Sequence, residues 1–282
     1  MAGAPRRRCR RGRQNSVLGY EPLADRSPYP PSFRSVILEE AGSTNTEAFK
    51  HALAGEVGPL WVMARRQTKG RGRSGRTWSP GPGNLYASLL QRLACPQSVV
   101  HQLSLLAGVA AVEAIAAATG PRIDGLRLKW PNDVLIGEAK CAGILPESQI
   151  GPGGAEVVVV IGIGINLASH PTALGRAATH LAVHGVTVAP EAMLGLLAEA
   201  MQRWLEVWEC GVGFPHVRAA WLRYGSKAGE SLTVNTGRER IDGTFLDLDD
   251  SGALVMRDAQ GGQRKLTFGD VTLAHTAPEG RE

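Results

Sequence analysis

Apolar and polar positions along the chain fall into blocks of different period, and the blocks predict its elements. Ser35-Val36-Ile37-Leu38 predicts a strand that opens the folded body. Gly42-Ser43-Thr44-Asn45 then leads into a helix ending near Leu53, with Ser43 and Thr44 as candidate N-caps and apolar i,i+4 pairs Ala48/Ala52 and Phe49/Leu53. Residues 60–64 predict the next strand, and 84–90 a strand returning after Pro80-Gly81-Pro82-Gly83. Ser98 to Thr119 carries the strongest helical period, stopped by Gly120-Pro121. A short strand at 126–130 turns at Pro131-Asn132-Asp133, because Trp130 before proline must be extended. Residues 134–136 and 140–147 read as a hairpin about Gly137-Glu138.

Residues 156–167 alternate with a period of two. Val158, Val160, Gly162, Gly164 and Asn166 share one face, and Ile161, Ile163 and Ile165 the other. The isoleucine face is ordinary core. On the first face the two glycines leave either a bare floor for a ligand or room for a closely packed neighbour. After an irregular stretch at 168–189, helices are expected at 190–209 and 215–224. From Ser231 the texture changes to five short strands, at 232–235, 241–248, 253–257, 265–268 and 271–274, as in a small barrel-like domain. The boundary is placed near Gly225-Ser226. No apolar run is expected to approach the roughly 20 residues that span a bilayer.

A chain of 282 residues has room for one large core and a smaller domain. The net charge of +5 does not describe the folded body, because residues 1–34 alone hold eight Arg against Glu21 and Asp25. The basic balance is therefore no argument that the body binds nucleic acid. The Arg/Pro-rich leader at 1–34 is read as disordered and dispensable, and Pro5, Gly12 and Pro22 spoil the amphipathic helix of a transit peptide. Cys9, Cys95, Cys141 and Cys210 are far apart in sequence, with no CxxC. That spacing points away from a protein-held metal or a disulfide framework and suits a cytoplasmic protein.

Between two expected strands, Gln67-Thr68-Lys69-Gly70-Arg71-Gly72-Arg73-Ser74-Gly75-Arg76-Thr77-Trp78 interleaves glycines with arginines. Such a loop can order on an anion through backbone N–H groups and planar guanidinium forks. A solvated basic turn and a nucleic-acid contact fit the same residues.

Read together, GRGRSGRTW (70–78), KWPND (129–133), KCAGILPE (140–147) and GIGIN (162–166) resemble the four signature blocks of biotin protein ligases, in the family's order and spacing. Ser43-Thr44-Asn45 and Gln67 support the match, which covers roughly residues 35–275. The resemblance implies an α+β fold, with a mixed β-sheet flanked by helices of the class II synthetase/biotin ligase kind and a small C-terminal SH3-like barrel. The domains would be 35–225, catalytic and binding biotin and ATP, and 226–282. It also implies the activity: biotin and ATP·Mg²⁺ give biotinyl-5′-adenylate, and the biotinyl group passes to a lysine of a biotin carboxyl carrier domain of an acyl-CoA carboxylase.

Site roles follow from the resemblance. Lys140 would meet the biotin carboxylate and α-phosphate, and Lys129 the phosphates. Asp133 would orient the incoming amine or take its proton, and Arg71, Arg73 and Arg76 would close over the anhydride. Ser43, Thr44, Asn45 and Gln67 would surround the ureido ring, with Gly72, Trp78 and Gly143 completing the biotin pocket. Asn132 and Asn166 would touch the adenylate. The short leader implies the single-function form, without a DNA-binding domain and without specific DNA or membrane partners, as a monomer or weak homodimer. A lipoate or octanoate ligase of related fold is the nearest alternative, and a nucleic-acid module using the arginines the more distant one.

Overall fold

The fold is described from a computed structural model, which covers residues 33–273 apart from 79–80, 152 and 173–176. The Arg/Pro-rich leader, apart from its last two residues, lies outside the described residues. A seven-stranded mixed sheet runs in the order β1 (Ser35–Ala41), β2 (Leu60–Gln67), β3 (Leu85–Leu93), β7 (Val157–Ile165), β6 (Ala139–Ile150), β5 (Asp133–Ile136), β4 (Leu126–Lys129). Only the β1–β2 pair is parallel. Helix α1 (Thr44–Leu53) covers one face of the sheet, packing Ala48 and Ala52 against Val62, Leu90, Val158 and Val160. Helices α2 (Leu103–Thr119), α3 (Pro190–Trp208) and α4 (Phe214–Tyr224) lie on the other, with Ile161, Ile163 and Ile165 in their core.

Helix α2 is apolar almost all round because it is sandwiched between the sheet and α3 and α4. With the 3₁₀ turn before it, Gln97–Thr119 is long and apolar enough to cross a membrane by length and composition, which corrects the expectation that no such run exists. Most of the stretch is buried inside the fold, as a core helix is. A second correction concerns Ser43. It occupies the N-cap position of α1 but makes no capping bond; the Thr44 N–H is instead bonded by the Gln67 side chain at 2.9 Å.

The C-terminal region is a five-stranded antiparallel sheet in the order β11 (Gln263–Leu266), β10 (Leu254–Asp258), β9 (Arg240–Leu248), β8 (Ser231–Asn235), β12 (Asp270–Leu273). Strand β11 starts two residues earlier than its pattern suggests, since the β10–β11 hairpin closes at Gly261-Gly262, and Phe268 is left exposed. This sheet is docked on the larger one through one buried and one partly buried contact. Trp130 Nε1 donates to Gly252 O at 3.1 Å, and Arg127 donates to Glu230 at 2.5 Å. The cysteines also depart from their spacing in sequence. Cys95 and Cys210 meet, and burial together with Cys210 pushes the Cys95 thiol up to about 11. Both remain free thiols.

Candidate functional site

One cavity of about 560 Å³ opens on the α1 side of the large sheet and extends to the edge of the small one. That volume lies within the range typical of small-molecule sites. Its floor is set by strand register. Tyr86 lies opposite Gly164 and Ser88 opposite Gly162 on β3 and β7, and Gly143 on β6 flanks Gly164 from the other side. The glycine floor is neither bare nor filled by an unrelated neighbour, for two candidate site residues cover it. A Cβ on Gly162 would come within 2.3 Å of Asn45 Oδ1, and one on Gly164 within 2.6 Å of the Trp78 indole. Gly143 meets Trp78 and Lys140 in the same way, at 2.8 and 3.0 Å. Larger residues would displace the side chains that line the cavity.

At one end the groups are neutral and bonded to one another. Gln67 Oε1 accepts from the Thr44 N–H and, at 3.2 Å, from the Thr44 hydroxyl. The Ser88 hydroxyl lies 2.7 Å from Thr44 Oγ1 and 2.6 Å from Asn45 Oδ1. Asn45 Nδ2 donates to Leu145 O at 3.2 Å and to Glu147 Oε2 at 2.7 Å. Thr44, Asn45, Gln67 and Ser88 are all buried, and Ser43 lines the same end.

At the other end the groups are ionic. Asp133 is buried on β5 and paired with Lys140 on β6 and, at 3.1 Å, with Lys129 on β4. Burial alone would raise the Asp133 carboxyl, but the two ammonium groups win and hold it below the usual aspartate range. Lys140 therefore has a structural partner in Asp133, which its expected place at the anion did not include. Its ammonium also lies 5.3 Å from the Trp78 ring centroid, within cation–π range.

The Gly/Arg loop is folded as a small hairpin over this cavity. Arg71 pairs with Thr77, and a 3₁₀ turn at Arg73–Gly75 places Ser74 at φ 55. Gly72 N–H donates to Arg76 O at 2.6 Å. Each arginine has an acceptor of its own. Arg71 donates to Glu147 at 2.7 Å; Arg73 to Asn132 Oδ1 at 3.1 Å and to Gly269 O at 3.3 Å; Arg76 to Asp270 at 2.7 Å. Burial draws the Arg73 guanidinium below its usual value, against the pull of Asp270 and Asp133.

The structure thus brings Ser43, Thr44, Asn45, Gln67, Arg71, Gly72, Arg73, Arg76, Trp78, Lys129, Asn132, Asp133, Lys140 and Gly143 to one cavity. Asn166 is the exception. It is buried beside the site, its amide donating to Thr179 O at 2.9 Å and Lys140 O at 3.4 Å, and it does not line the cavity. It ties the segment after β7 to the backbone of Lys140, which also pairs with Ala177 and Thr179. Three contributions escape the sequence reading. Ser88 could have been found as the polar position in the apolar run 85–90. Glu147 ends the KCAGILPE block, but nothing in its spacing marks a partner. Asp270–Leu273 of the C-terminal sheet line the cavity, and no sequence pattern announces that.

A buried neutral pocket joined to a cationic one, under a Gly/Arg hairpin, is the arrangement of a protein that binds a small polar ligand beside an anion. The sequence profile of the Biotin/lipoate A/B protein ligase family matches residues 40–166, and that of the Biotin protein ligase C terminal domain matches 228–273. A biotin–[acetyl-CoA-carboxylase] ligase of Paracoccus denitrificans is 41% identical over 233 residues, which are 80% of this chain and 95% of that protein. The biotin protein ligase of Aquifex aeolicus in complex with biotin and ATP superposes with a TM-score of 0.71 at 26% identity, over 86% of this chain and 99% of that one. That of Leishmania major in complex with biotinyl-5-AMP gives 0.57 at 26% identity, over 83% and 98%. The chain belongs to the biotin protein ligase family.

Proposed function

We infer that this protein is a biotin–[acetyl-CoA-carboxylase] ligase. It activates biotin with ATP as biotinyl-5′-adenylate and transfers the biotinyl group to the carrier protein of acetyl-CoA carboxylase. The observation that carries this is the pairing, within one cavity, of a neutral hydrogen-bonding end with the Lys129–Asp133–Lys140 cluster.

A ureido ring needs donors and acceptors fixed in a dry pocket, and Thr44, Asn45, Gln67 and Ser88 provide that at one end. The valeryl chain would then run past the Trp78 indole, which covers Gly164, and bring its carboxylate to Lys140. In the first step a carboxylate oxygen attacks the α-phosphorus while the bond to pyrophosphate breaks. Two anions meet there, and Lys140 and Lys129 offset their repulsion and the charge on the leaving group. In the second step the acceptor lysine, as a free amine, attacks the acyl carbon; AMP leaves with the bonding electrons and the amine releases a proton to solvent. The Asp133 carboxylate is already engaged by Lys129 and Lys140. Its task in this reading is to seat the two lysines and the incoming amine.

Magnesium would enter on the nucleotide phosphates, as it does for many phosphoryl-transfer substrates. The acceptor is read as a biotin carboxyl carrier domain and the protein as a monomer or weak homodimer. A cytoplasmic setting suits the neighbouring free thiols Cys95 and Cys210. Biotin-dependent ATP–pyrophosphate exchange tests the function: biotin should support it and lipoate should not. Exchange with lipoate alone would return the assignment to the alternative branch of the family.

A further inference from the structure

We propose that Glu147 is a positioning residue: its carboxylate fixes the side-chain amide of Asn45 with Oδ1 toward the cavity, making position 45 an acceptor for a ureido N–H. The proposal rests on the reading that the ureido ring lies at the Asn45 end.

An asparagine amide can present either its oxygen or its NH₂ group, and the partners around it decide which. Asn45 Nδ2 faces two groups that can only accept, Leu145 O at 3.2 Å and Glu147 Oε2 at 2.7 Å. Both amide hydrogens are spent there. Oδ1 is left with the Ser88 hydroxyl at 2.6 Å and lies over the Gly162 floor. The flipped amide would set an oxygen against the Leu145 carbonyl and the Glu147 carboxylate, which like-signed dipoles and charge oppose.

Glu147 is itself held. The same Oε2 accepts from Arg71 Nη2 at 2.7 Å, so the guanidinium of the Gly/Arg hairpin keeps the carboxylate against Asn45. Ligand recognition at the neutral end and the seating of the hairpin thus share one oxygen atom. Ser88 can play either part in a hydrogen bond and cannot set the amide by itself. Leu145 O supplies one acceptor for two hydrogens; Glu147 supplies the second and the charge.

The test is calorimetric titration of the full chain with biotin and with the two ring-oxygen analogues, in each of which one ureido N–H is replaced by an oxygen atom. A site that accepts from N–H should reject at least one analogue strongly, by about 100-fold or more. Glu147→Met removes the acceptor at similar length. It should shrink the biotin-to-analogue ratio about tenfold, through weaker biotin binding with analogue binding little changed. Glu147→Gln keeps an acceptor without charge and should hold the ratio within about threefold of the wild type. Asn45→Ala should lose the discrimination whatever occupies 147.

A wild-type ratio in Glu147→Met overturns the proposal. So does a loss that falls equally on biotin and analogue, since that is a structural role only. Equal failure of Glu147→Gln and Glu147→Met would overturn it too, since an acceptor at 147 would then not set the amide. Full discrimination in Asn45→Ala would instead sink the reading of Asn45 as a ureido contact, and with it the premise.

Discussion

At the Thr44–Gln67 end of the cavity the polar side chains are neutral and already bonded to one another, whereas at the Lys129–Lys140 end they are charges held by opposite charges. Thr44, Asn45, Gln67 and Ser88 are joined by hydrogen bonds between α1, β2 and β3, and Asn45 is bonded onward to Leu145 O and Glu147 on β6. Lys129, Lys140, Arg73 and Arg76 are each bound to an acidic or carbonyl oxygen of the protein. The difference suits what each end receives. A neutral ring gains from groups fixed in advance, because they lose little freedom on binding. Incoming anions can take over cations from protein carboxylates, so the charge is stored without leaving a buried cation unpaired. The first end should therefore respond to mutation in binding, and the second in chemistry and retention.

The largest effect is expected from Lys140→Ala. Biotin-dependent pyrophosphate exchange should fall by about 100-fold or more, the scale of losing one stabilising group at a reacting centre. The variant should also be less stable, by about 1–3 kcal/mol, since buried Asp133 keeps only Lys129. Acid unfolding separates the two roles. Because the Asp133 pKa is lowered in the folded protein, its contribution is complete above the ordinary aspartate value near ~3.9 and is lost as pH falls through the folded value. The variant should have less stability to lose below that range. An unchanged exchange rate would remove Lys140 from the chemistry.

Arg73→Gly should act on retention. Its guanidinium joins Asn132 to Gly269 O across the two sheets and closes the hairpin on the cavity. Losing a charge-assisted bond of roughly 1.5–3 kcal/mol would speed escape of the adenylate by about tenfold or more. The adenylate should still form, and biotin blotting with excess albumin should show labelled bystander lysines. Labelling confined to the acceptor would make Arg73 structural.

At the neutral end, Ser88→Ala removes the hydroxyl between Thr44 and Asn45. The cost should be about 1 kcal/mol, or about fivefold in biotin affinity, with ATP affinity unchanged. Equal weakening of both ligands would show that the two ends are not independent.

How far each end could be read in the sequence follows from the same contrast. The helices, most strands and the glycine face of β7 were visible, because period and turn residues are local signals. The ionic end was visible in three of the four blocks because its charges cluster within strands β4 to β6 and the hairpin. Its pairing was not. Nothing local shows that Lys140 and Asp133 meet across a strand pair, so the stability role of Lys140 was missed. Asn166 differs in the opposite way: its face is as expected, yet its amide donates to Thr179 O and Lys140 O beside the cavity and does not line it. Asp270 was out of reach, since the docking of one sheet on another leaves no mark on either sequence.

That docking supports the smallest prediction. Arg76 and Asp270 form an ion pair at 2.7 Å between the hairpin and β12, with both side chains more than two-fifths exposed. An exposed pair contributes about 0–1 kcal/mol, because water screens it and two side chains must be ordered to make it. Asp270→Asn should therefore raise adenylate escape less than fivefold and leave pyrophosphate exchange near the wild-type rate. The effect should shrink as salt rises, since at 1 M the screening length is about 3 Å, close to the separation of the pair. Arg73→Gly should keep much of its effect at that salt, because its bonds are partly buried and one of them is to a backbone carbonyl. Escape of radiolabelled adenylate from the two variants, measured at low and high salt, puts the contrast in one experiment. If Asp270→Asn leaks as fast as Arg73→Gly at both, the C-terminal sheet holds the hairpin by more than its surface pair.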